Sequence, residues 1–203
     1  MSLIYIEYFS RRPGVDLDAF RAGVAEGQQG WDSGYDADRL VLNAGRTWRL
    51  GPEPEYFAAW HCPGAGFDRL DDWDRIFRGG EADHLEGAFF RVARIDVAGC
   101  YTPLIEPVHT RGGTYYVEFF RPRADGGTIS AFYGERAARH PRLRLNLLLH
   151  RIGRLAPDPG GLAVWVLPEF AALEEIAGDL DGVDQPVELV TAGTYADFGR
   201  EIL

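Results

Sequence analysis

The sequence contains one stretch twice. Positions 46–63 read RTWRLGPEPEYFAAWHCP, and positions 151–168 read RIGRLAPDPGGLAVWVLP, with the second copy starting 105 positions after the first. Eight residues are identical between the two copies. Shorter matches flank the stretch: residues 4–9 with 115–120, and residues 98–101 with 192–195. Self-similarity at a long, nearly fixed period indicates that one supersecondary unit is used twice.

Each half is predicted to have the element order βαββαβ. Leu17, Phe20 and Val24 form an apolar stripe at helical spacing, and Asp16 stands before them as a candidate N-cap. Short β-branched and aromatic runs bounded by Gly and Pro predict the strands. In the first half the predicted strands cover residues 3–9, 40–50, 56–62 and 91–101, and a second helix covers residues 67–77. In the second half, the last strand covers residues 186–195.

This order predicts an α+β fold. With right-handed crossovers, a βαββαβ unit forms a ferredoxin-like layer, a four-stranded antiparallel sheet with helices on one face. The other face stays open, and a tandem chain can cover it with the second unit. We therefore predict two tandem ferredoxin-like units, residues 1–108 and 109–203, packed sheet to sheet as a pseudo-dimeric α+β barrel. The first half is longer by residues 79–90, which are predicted to form an extra short helix.

Composition excludes several classes of partner. The net charge is −10 and the pI is about 4.9, which disfavours nucleic acid and anionic membranes because both require clustered positive charge. No run approaches eighteen apolar residues, and no basic n-region opens the chain. All 21 basic residues are arginine, which is typical of a GC-rich bacterial genome. Cys62 and Cys100 have no cysteine counterparts in the repeat, so we expect free buried thiols and a cytoplasmic protein.

In this pattern of elements the chain resembles the dimeric α+β-barrel superfamily in its fused tandem form. The opening residues 4–7, Pro13-Gly14, the hairpin of residues 46–60 and Trp73 are most similar to the NIPSNAP-like branch. The superfamily includes cofactor-free monooxygenases, heme-degrading monooxygenases, chlorite dismutases and isomerases. The resemblance implies a pocket between sheet and helices or inside the barrel, and it implies no particular reaction.

Glu7 is the first candidate catalytic residue. Side chains alternate along a strand, so Glu7 shares a face with Tyr5 and Phe9, and the second half repeats this arrangement around Glu118. If this face points into the barrel, each glutamate is partly buried and could serve as a general base or a polar anchor. The alternative is structural: salt bridges between the units, for which Arg46 and its repeat counterpart are the natural partners.

Two histidines complete the predicted catalytic set. His61 stands on the third strand, where it could approach Glu7, and His84 stands on the extra segment of the first half. Trp73 followed by His84 is similar to heme-degrading members of the superfamily, although those enzymes carry an asparagine on the first strand where this chain has Glu7. No histidine has a partner at metal-ligand spacing, and no nucleotide, flavin or zinc-protease motif occurs. We therefore predict no metal and no cofactor.

The sequence predicts a cofactor-independent enzyme or binding protein for a small hydrophobic or aromatic metabolite, resembling a monooxygenase or isomerase. A non-catalytic interaction scaffold and a heme-binding or heme-degrading monooxygenase remain alternatives. Any ligand site is predicted to lie in the first half, and a homo-oligomer is compatible with the fold. The predicted catalytic residues are Glu7, His61 and His84, and the predicted ligand-binding residues are Asn43, Arg46, Trp60 and Trp73.

Overall fold

The computed structural model describes residues 2–34, 39–47, 54–62, 82–109, 112–179 and 185–198. The strands in this part of the chain are β1 (Leu3–Arg11), β2 (Arg39–Arg46), β3 (Tyr56–Cys62), β4 (Ala93–Pro103), β5 (Thr114–Pro122), β6 (Arg144–Arg151), β7 (Gly161–Leu167) and β8 (Val187–Asp197). The helices are α1 (Leu17–Gly34), α2 (Ala82–Val92), α3 (Gly126–Arg139) and the short α4 (Leu173–Ile176), which follows a 3₁₀ turn at Phe170–Ala172.

The strands close into one antiparallel barrel in the order β1-β3-β2-β8-β5-β7-β6-β4. The order within the first half is β4-β1-β3-β2, and the second half repeats it as β8-β5-β7-β6. The halves meet where β2 pairs with β8 and where β4 pairs with β6. The predicted α+β class is therefore confirmed, and closure covers the sheet edges that each half alone would expose.

Alternation along the strands divides the apolar residues into an inner and an outer set. The barrel interior contains Ile4, Ile6 and Tyr8 from β1, together with Val117 and Phe119 from β5. Outward-facing residues of the same strands pack beneath the helices and form one cluster for each half. The barrel thus has a filled apolar core, and its helices cover the outer faces of the strands.

Side-chain caps fix the start of the two long helices. Asp16 accepts a hydrogen bond from the backbone N–H of Ala19 at 2.8 Å, which confirms the predicted cap of α1. In the second half the cap is Asp125, which accepts from the backbone N–H of Thr128 at 3.0 Å. When the two helices are aligned at their capping residues, Asp16 and Asp125, Gly27 of α1 occupies the position that Arg136 has in α3.

The extra segment of the first half contains a helix, as predicted. This helix, α2, packs along α1, and a Cβ added at Gly27 would lie 2.7 Å from the Cβ of Phe89. Helix α2 runs through residue 92, so β4 begins at Ala93 rather than at residue 91 as expected. The helix predicted over residues 67–77 lies outside the described residues. Cys62 and Cys100 are both buried free thiols, as expected.

Candidate functional site

One end of the barrel opens into a cavity of about 580 Å³. Tyr8, Tyr101 and Phe119 line it from the barrel interior, and the β2–β3 and β6–β7 connections contribute Pro54 and Pro159 at its mouth. Ligand pockets in proteins commonly have volumes of about 300–1,000 Å³ and mostly apolar walls. The cavity therefore has the size and lining of a small-molecule site.

Both halves of the chain build the cavity from equivalent positions. The strand registers place Tyr8 opposite Phe57 and Val97, and place Phe119 in the same relation to its neighbours on β7 and β8. A register shift follows Tyr8 in the β1–β4 pair, and another follows Phe119 in the β5–β8 pair. Bulges of this kind redirect side chains and are frequent beside active sites. Here they stand where the barrel opens, and the side chain of Val97 is 43% exposed at the mouth.

Two of the polar side chains that line the cavity are phenols. The hydroxyl groups of Tyr8 and Tyr101 are 3.1 Å apart and share a hydrogen bond, although both residues are at least 95% buried. Burial raises the pKa of Tyr101 to about 12, and burial together with the neighbouring Tyr101 raises the pKa of Tyr8 well above its ordinary value. Both phenols are therefore protonated hydrogen-bond donors at neutral pH. Tyr195, the repeat counterpart of Tyr101, instead donates to the carbonyl oxygen of Pro54 at 3.1 Å.

Paired charges surround the mouth. The Nε of Arg94 donates to Ser10 Oγ at 3.0 Å and lies 2.8 Å from Asp96 Oδ1. Arg121 donates to Asp158 Oδ2 through Nε at 3.1 Å and Nη2 at 2.8 Å, and this bonding holds the pKa of Asp158 below its usual range. Exposed pairs of this kind contribute little to stability. They leave the mouth with both signs of charge around an apolar interior.

The predicted glutamates do not face the barrel interior. Glu7 shares the outward face of β1 with Phe9, beneath the helices, and Glu118 has the same position on β5. Glu118 accepts two hydrogen bonds from Arg136 of α3, at 2.9 and 3.0 Å, and a third from Trp165 Nε1 at 3.2 Å. Its partner therefore comes from the same half of the chain. For Glu118 the predicted pairing with the repeated arginines is wrong, because strand alternation turns this carboxylate toward Arg136 in the helix layer.

The predicted approach of Glu7 to His61 is also wrong. His61 alternates with Trp60 on β3 and shares the inward face with Ala59, whereas Glu7 faces outward, so the sheet separates the two side chains. His61 lies at the barrel end away from the cavity, with Nε2 2.5 Å from Ser2 Oγ. Burial lowers its pKa below the usual value. The two residues stand on adjacent strands, β1 and β3, but their side chains point to opposite faces of the sheet.

The remaining predicted residues occupy several environments. Asn43 donates to Gln28 Oε1 of α1 at 2.7 Å, so it too faces the helix layer. Trp60 is 3% exposed in the outer cluster, and Arg46 is half-buried opposite Tyr195 at the β2–β8 junction. His84 lies on α2, but its side chain is outside the described part, as is the whole of Trp73. None of these described side chains lines the cavity.

Comparison with known proteins connects this geometry to a fold. No protein-family model matches the chain, and no curated protein sequence is significantly similar to it. A chlorite dismutase variant from Candidatus Nitrospira defluvii in complex with cyanide matches with a TM-score of 0.60 and 11% identity, over 97% of this chain and 91% of that one. The chain has the fold of the dimeric α+β-barrel proteins.

Two further solved structures agree with this fold. A heme-binding protein from Thermus thermophilus matches with a TM-score of 0.57 and 11% identity, over 97% of this chain and 91% of that one. A protein from Lactobacillus acidophilus assigned as a monooxygenase matches with a TM-score of 0.54 and 11% identity, over 100% of this chain and 99% of that one. Since identity is this low, the likeness establishes the α+β-barrel fold and carries no activity with it.

Sequence reasoning missed the phenols of the cavity, although two signals could have found them. Strand alternation already grouped Tyr8 with Ile4 and Ile6, the residues that turned out to face inward. The repeat also makes Tyr8 equivalent to Phe119, so the first half carries one hydroxyl group that the second half lacks at this position. The choice of the wrong face for the barrel interior concealed both signals.

No helix within the described residues is long and apolar enough to cross a membrane. No cluster of three or more His, Cys, Asp or Glu side chains that could hold a metal ion occurs in the described ranges.

Proposed function

We propose that this protein binds a small hydrophobic or aromatic molecule in the cavity at the barrel end and transforms it without a cofactor, in the manner of a monooxygenase or isomerase. The observation that carries the proposal is the cavity itself, which combines about 580 Å³ of space, apolar walls and two convergent phenols. The open cavity also weighs against a purely structural scaffold, for which a completely filled barrel is expected.

The lining of the cavity favours an aromatic ligand. Tyr8, Tyr101 and Phe119 present aromatic rings, and Pro54 and Pro159 stand at the mouth. Aromatic rings attract other rings through offset stacking and edge-to-face contacts as well as through apolar burial. A planar, largely apolar molecule could therefore displace water from the cavity and leave a polar atom near the phenols.

Naphthalene is a suitable first probe, with binding followed by saturation-transfer NMR on the ligand signals. We expect the wild type to bind it and Thr191→Trp, which fills the cavity from β8, to lose binding. Val190→Trp is the matched control, since Val190 is adjacent in sequence, is 41% exposed and is not part of the cavity wall. Failure of the wild type to bind, or equal binding by both tryptophan variants, would contradict the proposed site.

A heme-binding function is the second candidate, favoured by the similarity to proteins described as a chlorite dismutase and a heme-binding protein. The described residues do not fit a heme. In the second half the layer between sheet and helices is filled by Glu118, Arg136, Tyr133 and Trp165, all fully buried. No described histidine lines the barrel cavity. We expect no Soret band after heme titration, whereas a band that disappears in His84→Ala would support the heme function.

The catalytic roles predicted for Glu7, His61 and His84 remain predictions, as does the NIPSNAP-like branch. Glu7→Gln keeps the shape of the side chain and removes its charge. Once a substrate is known, normal turnover by this variant would exclude Glu7 as a general base. His61→Gln and His84→Gln test the other two positions in the same way.

We also propose that residues 1–108 and 109–203 are two tandem units with a shared core, arranged as a pseudo-dimer. The repeated strand order and the pairing of β2 with β8 and of β4 with β6 support this division. Each unit expressed alone would expose its half of the barrel interior, so neither should show a cooperative thermal transition by circular dichroism. A native-like transition of either unit would refute the shared core.

A further inference from the structure

Among the described residues, the hydrogen bonding of the two cavity phenols accounts for one of their two protons. Tyr8 and Tyr101 each carry one O–H group, and a single hydrogen bond of 3.1 Å joins their oxygen atoms. One of the two protons is used in this bond. Within the described part of the chain, no other acceptor is found for the second proton. Both residues also line the cavity, so a molecule bound there lies beside the pair.

We propose that the Tyr8–Tyr101 pair binds an oxygen atom of the ligand and stabilises negative charge on it. The ligand class is then an aromatic or conjugated ketone or a phenol, with its oxygen accepting a hydrogen bond from one tyrosine while the other tyrosine donates to the first. This inference rests on the proposed function, because it requires that the cavity be the ligand site. It adds the functional group that the ligand must carry.

Burial strengthens such an arrangement. Tyr8 is 5% exposed and Tyr101 is 2% exposed, so the ligand oxygen would meet fixed donors in a site with little competing water. Donors held in place toward a developing oxyanion stabilise it more than mobile water does. Two phenols in series also polarise each other, and the first becomes a stronger donor than an isolated phenol.

The second half cannot form the same pair. The repeat counterpart of Tyr8 is Phe119, which has no hydroxyl group, and the counterpart of Tyr101 is Tyr195, which donates to the Pro54 carbonyl. One oxygen-binding position therefore exists on the cavity wall contributed by β1 and β4. Tyr195 provides a comparison, since its phenol is close enough to help raise the pKa of Tyr8 but donates its own proton to Pro54.

The test compares 2-naphthol with naphthalene, two probes that differ by one hydroxyl group. We expect the wild type to bind 2-naphthol more tightly, by about two- to twelvefold, the range expected for one neutral hydrogen bond. Tyr8→Phe and Tyr101→Phe should each reduce this ratio, the double variant should bring it to about one, and Tyr195→Phe should leave it unchanged. Binding of naphthalene should be similar in all four variants.

A spectroscopic measurement on the unaltered protein gives an independent test. The carbonyl stretching frequency of bound 2-acetylnaphthalene should be lower than in hexane, because hydrogen bonding weakens the C=O bond, and the double phenylalanine variant should lose this shift. Equal affinity of the wild type for both naphthalene probes, or an unshifted carbonyl frequency, would overturn the phenol pair while leaving the cavity proposal intact. Absence of binding by either naphthalene probe would overturn both.

Discussion

The buried ion pair of the second half offers the sharpest test of the energetics. Glu118 and Arg136 are both fully buried, and two hydrogen bonds of 2.9 and 3.0 Å join them. The guanidinium also lies 5.3 Å from the ring centres of Tyr133 and Trp165. Replacing Arg136 with Met keeps a long apolar side chain but removes the charge, so the carboxylate keeps only the Trp165 N–H among the three donors described above.

We expect Arg136→Met to lower the free energy of unfolding by about 3–5 kcal/mol, the usual cost of leaving one buried charge without its partner. For a chain of this length, about 1 kcal/mol corresponds to about 2–4 °C in Tm, so the melting temperature should fall by about 6–20 °C. This is a large part of the total stability of a typical domain, which is about 5–15 kcal/mol.

Urea denaturation followed by tryptophan fluorescence, arranged as a double-mutant cycle, measures this coupling. The partner variant is Glu118→Gln, which keeps an acceptor for the indole N–H of Trp165. The double variant Glu118→Gln/Arg136→Met should recover about 2 kcal/mol or more relative to Arg136→Met, because it contains no isolated buried charge. A cost below about 1 kcal/mol for Arg136→Met, or no recovery in the double variant, would show that water reaches the pair and would refute the reasoning.

Two other predictions concern the helices and pH. Gly27→Ala should lower the free energy of unfolding by about 1–3 kcal/mol in urea denaturation, because the new methyl group would meet Phe89 of α2. Gly134→Ala is the control: nothing lies within 4 Å of its added methyl group, so it should stabilise α3 by about 0.5–1 kcal/mol. Equal effects of the two variants would contradict the close packing of α1 and α2. Burial opposes ionisation of Asp179, but the hydrogen bond from His140 and nearby arginines hold its pKa below the usual value. The stabilisation that the ionised Asp179 gives the folded state is therefore complete above about pH 4 and is lost as pH falls through the lowered pKa. The difference in unfolding free energy between wild type and Asp179→Asn should shrink below about pH 4, and a constant difference would argue against the pairing.

The α+β class and the positions of several elements could be predicted because local signals agree with the final structure. Strand β3 begins and ends at the predicted residues, Tyr56 and Cys62, since prolines punctuate both sides of an apolar run. Asp16 marks the start of α1 for the same local reason. Closure of the sheets into one barrel depends on pairing between β2 and β8, residues about 150 positions apart, and no local pattern reports such a contact.

The site was harder to predict because its location depends on which face of each strand is inside. Alternation correctly separated Tyr8 from Glu7, but both faces of β1 are buried, so hydrophobicity does not distinguish the interior from the helix layer. The face that carries Glu7 was predicted to point into the barrel because a glutamate on a central strand is unusual, and that face instead lies under the helices. Its counterpart Glu118 is explained by Arg136, a partner that sequence spacing on a helix did not identify.

The covalent joining of the two halves has a consequence for how the cavity can treat what enters it. In a dimer of identical chains, every side chain on the two-fold axis appears twice, and a molecule bound there has two equivalent orientations. Here Tyr8 faces the cavity from one half and Phe119 from the other, and Val97 is matched by Thr191. A single chain can thus hold different groups at equivalent positions. A molecule bound as proposed would meet a phenol on one side and a plain ring on the other, so its two orientations would no longer be equivalent.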